Sequence, residues 1–151
     1  MMRIIKALSF VALFACREEQ KDLPPLGVVL ARLDDPIARP CEDVRDAVVK
    51  AFASGKPKRY RSLETTAVDG GYRMVGPWSV SSPKPHGFRV IVTLHNAGNA
   101  SCRADVISER LSDPSAKLWS VPDREAKLQL VAVFDPAKAR EIREQLRNMK
   151  Y

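Results

Sequence analysis

The sequence predicts an α+β fold: an antiparallel sheet of about four to five strands with an N-terminal and a C-terminal helix packed on it. Three observations support this prediction. Apolar residues recur at helical spacing over residues 42–53, several short segments then alternate apolar and polar residues, and an amphipathic segment follows Asp135-Pro136. The order helix, strands, helix favours helices on one face of a sheet, and an all-β sandwich is the alternative.

The two helices have recognisable ends. Ser54-Gly55 ends the first helix, whose apolar stripe consists of Val44, Val48, Val49 and Phe52. In the second helix we expect Asp135 to be the N-cap and Pro136 to take the first helical position. Its packing stripe is predicted to be Ala139, Ile142, Leu146 and Met149.

A hairpin is predicted around Asp69-Gly70-Gly71, between strands at residues 59–68 and 72–80. Gly76-Pro77 interrupts the second of these strands. Because proline cannot donate a ladder hydrogen bond, we expect that strand to be an edge or bulged strand.

The clearest strand covers Phe88 to His95, with Phe88, Val90, Val92 and Leu94 on one face. After a turn at residues 96–101, alternate residues from Cys102 to Val106 continue the inward face, so Cys102 is expected in the core. Further strands are predicted at residues 28–33 and 126–134, and a short extended piece at residues 118–125.

The composition is that of an ordinary globular protein. Of 151 residues, 45% are hydrophobic and 28% are charged, and the formal net charge is +7. This mild basic excess is compatible with an anionic partner but does not identify one.

The N-terminus has the features of a secretory leader. Met1–Lys6 is basic, Ala7–Phe14 is apolar, and Ala15-Cys16 ends the run with small residues. The apolar part is too short for a transmembrane helix, which needs roughly 20 residues. Cleavage by an ordinary signal peptidase would place the large side chain of Leu13 or Phe14 where a small one is required.

The stretch Leu13-Phe14-Ala15-Cys16 instead resembles the lipobox of bacterial lipoproteins. The resemblance covers residues 1–16 only. It implies that residues 1–15 are a signal peptide, that Cys16 carries diacylglycerol and often an amide-linked fatty acid such as palmitate, and that residues 16–26 tether one domain at residues 27–151 to a membrane. Arg17 follows the cysteine where an Asp would favour the inner membrane, so the periplasmic face of the outer membrane is expected.

Two alternatives remain for this region: simple secretion, or a cytosolic protein in which Cys16 is a buried apolar residue. If Cys16 is acylated, Cys41 and Cys102 remain as an even pair, which an oxidising periplasm would join in a disulfide. The alternative is two buried free thiols. No Cys-x-x-Cys is present, so neither a thioredoxin-like site nor a structural zinc site is indicated.

Candidates for catalysis are few. The chain has two histidines, His86 in a loop and His95 at the end of a strand, and no Gly-x-Ser-x-Gly, His-Glu-x-x-His, Walker or dinucleotide-binding motif. Neither histidine alone makes a site, so we expect no enzyme activity, no metal and no cofactor.

Two sets of residues could recognise a partner. The first is a basic cluster that could bind an anionic surface, or could be a solvated connection: Lys56, Lys58, Arg59 and Arg61. The second is a set of large aromatic residues that could pack in the core or contact a protein: Tyr72, Trp78 and Trp119.

These features favour a lipid-anchored envelope protein that binds another envelope protein, as an assembly subunit or as an immunity or inhibitor protein. One alternative is a small periplasmic hydrolase that uses His95 or His86. A third is a cytosolic nucleic-acid binder that uses Lys56–Arg61, which requires an unprocessed leader; with the leader removed, no nucleic-acid partner is expected.

Overall fold

The structure is a computed structural model that describes residues 24–54, 62–81, 86–112 and 118–149. The helices are α1 (Leu26–Ala31), α2 (Cys41–Ser54), α3 (Arg124–Phe134) and α4 (Pro136–Asn148), and a short 3-10 helix spans Arg32–Asp34. The strands are β1 (Glu64–Val68), β2 (Gly71–Val75), β3 (Ser79–Ser81), β4 (His86–Asn96), β5 (Cys102–Ser112) and β6 (Leu118–Pro122).

The strands form one antiparallel sheet in the order β1-β2-β4-β5-β6, and β3 pairs with the beginning of β4, beside β2. The predicted hairpin is present, with Val68 opposite Gly71 across the turn at Asp69-Gly70. Gly70 has a φ of 72°, a left-handed conformation that glycine adopts without steric cost. The predicted α+β class, with an antiparallel sheet and helices N- and C-terminal to it, is confirmed.

Gly76-Pro77 separates β2 from β3, as the sequence predicts. The expectation of an edge strand was wrong for β2, which lies between β1 and β4. The last pair between β1 and β2 joins Glu64 to Val75, so Pro77 lies beyond the end of that ladder. Proline at this position therefore removes no hydrogen bond between β1 and β2.

One face of the sheet forms the main core with α2 and α3. Alternate residues of β4 point to this face, where Val90, Val92 and Leu94 are fully buried. α2 covers them with the stripe that the sequence predicts, including Val44 and Val48, and also Phe52. The remaining strands and α3 add Met74, Cys102, Ala104, Val106, Ala126 and Leu130.

A second apolar cluster joins α1, the 3-10 helix, α3 and α4. Its buried members are Val29, Leu33, Leu128, Val131, Ala139 and Ile142, and Leu146 and Met149 pack against it. The predicted stripe of α4 is therefore confirmed, as is its N-cap: Asp135 accepts a hydrogen bond from the backbone N–H of Lys138 at 2.9 Å. Arg32 donates to both carboxylate oxygens of Glu141 at 3.0 Å, which lowers the pKa of that carboxyl.

Two predicted strands are helices in the structure. Residues 28–33 lie in α1 and the 3-10 helix, and residues 126–134 lie in α3. α3 packs against the sheet and α2 on one side and against α4 on the other, so it is apolar on most of its surface and shows no helical period. Its start has a helical signal nonetheless, because Asp123 caps it by accepting from the N–H of Ala126 at 3.0 Å.

Gly71 sits where β2 passes close to β4. A Cβ atom at this position would lie 1.8 Å from the carbonyl oxygen of Leu94 and 2.8 Å from the carbonyl carbon. Both contacts are to backbone, so no side-chain rotation can relieve them. The position therefore admits only glycine at this spacing between the strands.

The predicted disulfide between Cys41 and Cys102 is present, with a Cα–Cα distance of 5.0 Å. It joins the first residue of α2 to the first residue of β5. Next to it, Ile37 forms an isolated antiparallel bridge with Cys102, with N···O distances of 2.7 and 2.9 Å. The segment before α2 is thus fastened to the sheet by both backbone and sulfur.

Removal of the disulfide is expected to lower the free energy of unfolding by about 4 kcal/mol, because the bridge closes a long loop in the unfolded chain. The test compares urea unfolding of the protein and of the Cys41→Ala/Cys102→Ala variant. Reductant should destabilise the unaltered chain by a similar amount and leave the variant unchanged. Equal stability of the two proteins without reductant would contradict the expectation.

Candidate protein-binding surface

The face of the sheet opposite α2 and α3 has no helix on it in the part of the chain that the structure describes. Residues of β4 that alternate with the core residues point to this open face, including Arg89 and Ile91. Ile91 lies opposite Val75 and Ile107 on the neighbouring strands and is nearly fully buried. Apolar side chains therefore occupy this face as well as the core face.

An exposed apolar area lies at one end of the open face; we call it the tryptophan patch, made of Trp78, Gly87, Leu111 and Leu118. Gly87, Leu111 and Leu118 stand directly opposite one another on three adjacent strands, so they share a face. A Cβ atom at Gly87 would be 3.2 Å from Cε3 of Trp78, so the indole lies over the glycine. The exposed fractions are 39% for Trp78, 37% for Leu111 and 51% for Leu118.

Arg89 fixes the position of the indole ring. Its guanidinium carbon lies 4.6 Å from the centroid of the Trp78 ring, and its guanidinium nitrogens reach Glu109 Oε2 at 2.6 Å. Glu109 is largely buried, so its charge is held by this arginine and not by bulk water. The pair can hold the aromatic ring in place.

The three aromatic residues proposed from the sequence do not form one surface. Trp119 is 46% exposed but stands opposite Arg110, on the other face from Trp78, and that arginine lies 5.7 Å from its ring centroid. Tyr72 is half-buried against the main core, with the guanidinium of Arg45 at 4.6 Å from its ring. Among these aromatic residues, only Trp78 belongs to the tryptophan patch.

In the described contacts, His95 is not brought together with a nucleophile. His95 Nε2 lies 3.4 Å from Asp105 Oδ2 on the open face, and both side chains are about half exposed. His86 is the first residue of β4, and its side chain lies outside the described part of the chain. An exposed contact between a histidine and an aspartate is ordinary at a protein surface.

Sequence reasoning missed a nearly buried lysine. Lys127 of α3 is 7% exposed; its ammonium donates to the carbonyl oxygen of Ala104 on β5 and lies 3.3 Å from Asp34 Oδ1. It lies beside a cleft of about 540 Å³ between the 3-10 helix and β5. The sequence feature that could have revealed it is a lysine inside an apolar run. Because residues 126–134 were predicted to be a strand, this lysine was not expected to be buried against β5. In the structure this lysine satisfies a carbonyl at the edge of β5.

Two further hydrogen bonds lie at this edge. Ser108 Oγ donates to Asp123 Oδ2 at 2.5 Å, and the backbone N–H of Asp123 donates to the carbonyl oxygen of Val106 at 3.0 Å. Since Asp123 also caps α3, the hydroxyl, the carboxylate and the helix start form one structural network.

Several predicted residues lie outside the described part of the chain: Cys16 with the signal peptide, and the basic cluster Lys56, Lys58, Arg59 and Arg61. Within the described ranges, no group of His, Cys, Asp and Glu could hold a metal ion. No helix in those ranges combines the length and apolarity required to cross a bilayer.

No protein-family model matches the chain, and comparison with curated proteins and with solved structures found no similar protein.

Replacement of Arg89 by alanine is expected to release Trp78 and to leave Glu109 without its partner. In a Trp119→Phe background, Trp78 is the only tryptophan, so its emission should shift to longer wavelength and acrylamide should quench it more strongly. The free energy of unfolding should fall by about 1–2 kcal/mol, because a mostly buried carboxylate loses its hydrogen bonds.

The matched control is Arg110→Ala in the same background, which removes the arginine that stacks on the other tryptophan position. It should leave Trp78 emission unchanged. Unaltered emission in the Arg89 variant would mean that the arginine does not position the indole.

Proposed function

We propose that this chain is a lipid-anchored protein of the bacterial envelope that acts by binding another protein through the tryptophan patch. The observation that carries the proposal is the exposure of Leu111 and Leu118 on adjacent strands and of Trp78, which lies over Gly87 on the next strand, on a sheet face that no described helix covers. Contiguous exposed apolar residues of this kind are typical of interaction sites, and tryptophan and arginine are the residues most enriched where binding energy concentrates.

The envelope location is supported by the sequence and by the disulfide. The lipobox-like stretch Leu13–Cys16 is the basis for acylation of Cys16 and loss of residues 1–15. The pairing of Cys41 with Cys102 fits an oxidising compartment such as the periplasm. Arg17 favours the outer membrane. Two or more acyl chains, at about 0.8 kcal/mol per buried methylene, would make the attachment effectively permanent.

A binding role of this type suits an accessory subunit of an envelope assembly or an immunity or inhibitor protein. In each case, a rigid surface on a tethered domain meets a larger partner. The hydrolase alternative has less support, because His95 is about half exposed beside Asp105, and the cleft beside Lys127 is lined by Asp105 but not by His95. The nucleic-acid alternative needs the leader to remain attached.

Intact mass spectrometry of the membrane fraction tests the anchor. The expected mature chain begins at Cys16 and carries the added mass of diacylglycerol and a fatty acid, and Cys16→Ser should retain the leader or appear in the soluble fraction. A native chain that keeps Met1 and fractionates with the cytoplasm would contradict the location.

Trp78→Ala is expected to weaken capture of the protein partner, because it removes the largest apolar contact of the tryptophan patch. A photoreactive residue at position 118 in living cells should crosslink one envelope protein, whereas the same residue at position 144 of α4 should not. With the purified partner, Trp78→Ala should raise the Kd by about tenfold or more, which corresponds to about 1.4 kcal/mol.

Trp119→Ala is the matched control, because Trp119 is exposed to a similar extent on the opposite face. It should leave the Kd unchanged, and thermal unfolding should show that both variants fold. Equal weakening by the two variants, or crosslinks from both positions, would contradict binding through the tryptophan patch.

A further inference from the structure

The strand β6 forms one edge of the sheet. Within the described ranges it pairs only with β5, and all of its residues except Val121 are exposed. Its sequence, Leu-Trp-Ser-Val-Pro, carries no charge, whereas proteins commonly protect an exposed edge with charged side chains. An uncharged, apolar edge of this kind is a template for another strand.

The hydrogen bonds of the sheet show which backbone groups of β6 point away from β5. The N–H of Asp123 donates to the carbonyl oxygen of Val106 at 3.0 Å, so the backbone groups of Val106 point away from β4. Backbone groups alternate along a strand, so every second residue of β5 counted from Val106 does the same. Trp119 and Val121 stand opposite such residues and therefore bond to β5. The residues of β6 that direct their backbone groups outward are Leu118, Ser120 and Pro122.

Pro122 restricts the register in which another strand can pair with this edge. Proline has no N–H, so only Leu118 and Ser120 offer both an outward donor and an outward acceptor. A second copy of β6 that runs antiparallel satisfies both residues when Leu118 stands opposite Ser120 of the second copy, because each such pair exchanges two hydrogen bonds. A register with Ser120 opposite itself would set Leu118 against the proline and lose a bond from that pair.

The same register sets Trp119 directly opposite Trp119 of the second copy. This side chain is 46% exposed, and the tryptophan patch does not use it. Aromatic residues directly opposite each other on antiparallel strands stabilise the pairing. The guanidinium of Arg110 lies 5.7 Å from the indole centroid within each copy. The two copies of Arg110 would stand three strand spacings apart, about 14 Å, where salt screens their repulsion.

We propose that β6 pairs with β6 of a second copy of this chain, in a two-fold antiparallel register that joins the two sheets edge to edge. A second copy fits better than an unrelated strand because this short edge supplies both sides of the match: donors for acceptors, indole for indole, and no charge on either side. The side chain of Leu118 stays on the open face, so the tryptophan patch of each copy remains available to another protein. The inference adds to the proposed function and does not depend on it.

The first test traps the pair with a disulfide, because so small an interface is expected to dissociate readily. Trp119→Cys would place two Cα atoms about 4.5 Å apart, within the range that a disulfide spans. Val121→Cys lies on the same face, but its two Cα atoms would be about 14 Å apart. Mild oxidation of the full chain in detergent should therefore give about tenfold more covalent dimer from Trp119→Cys than from Val121→Cys. The unaltered chain is the control for Cys16.

Sedimentation of chains that keep Trp119 tests the backbone contacts. Ser120→Pro removes an outward N–H without breaking a bond to β5, and it should raise the Kd of the dimer by about tenfold or more. Ser120→Ala is the matched control; it keeps the N–H and should leave the Kd of the dimer unchanged. Thermal unfolding shows that each variant remains folded.

Equal crosslinking of Trp119→Cys and Val121→Cys, or no crosslink from either, would overturn the inference. So would a disulfide from Trp119→Cys to a different protein, because an unrelated strand would then occupy the edge. A photoreactive residue at position 118 should capture the second copy as well, and the doubled mass of this chain separates that product from a crosslink to another protein. Failure of the β6 pairing leaves the proposed function intact, since Trp78→Ala tests that function on the other face.

Discussion

The structure depends on burial of one face of the sheet against α2 and α3. Side chains alternate along β4, and this core contains Val90, Val92 and Leu94. The residues that alternate with them, including Arg89 and Ile91, therefore point to the other face, where no described helix covers them. The face on which we propose recognition is therefore a consequence of how the core is built. A slip of one residue in β4 would exchange the two faces.

The disulfide acts at the same interface. It ties the start of α2 to the start of β5, and the bridge between Ile37 and Cys102 continues the attachment into the backbone. α2 is thereby held on the sheet near its first turn. α4 is held against α1, the 3-10 helix and α3 through the apolar cluster that contains Leu33 and Ile142. The helical layer cannot shift far without breaking covalent or buried contacts, so the open face is supported by a rigid layer.

The sequence was sufficient for elements with a clean period or a clear cap. α2, the strand from Phe88 to His95 and the Asp135-capped helix follow from local patterns, and cysteine parity predicted the disulfide. α3 was missed because it is buried on two sides, which removes the polar face that marks a helix. The separation of Trp78 from Trp119, and the role of Lys127, depend on strand register and tertiary contact, which no single segment encodes.

The close passage of Gly71 past the Leu94 carbonyl has a consequence for tracing ancestry. Any chain that shares this architecture must keep the smallest residue at that point, because even a methyl group would force the first hairpin away from the central strand. A half-cystine pair with an obligatory glycine about midway between its members is thus a compact signature. Distant relatives whose overall similarity has faded could be recognised by it.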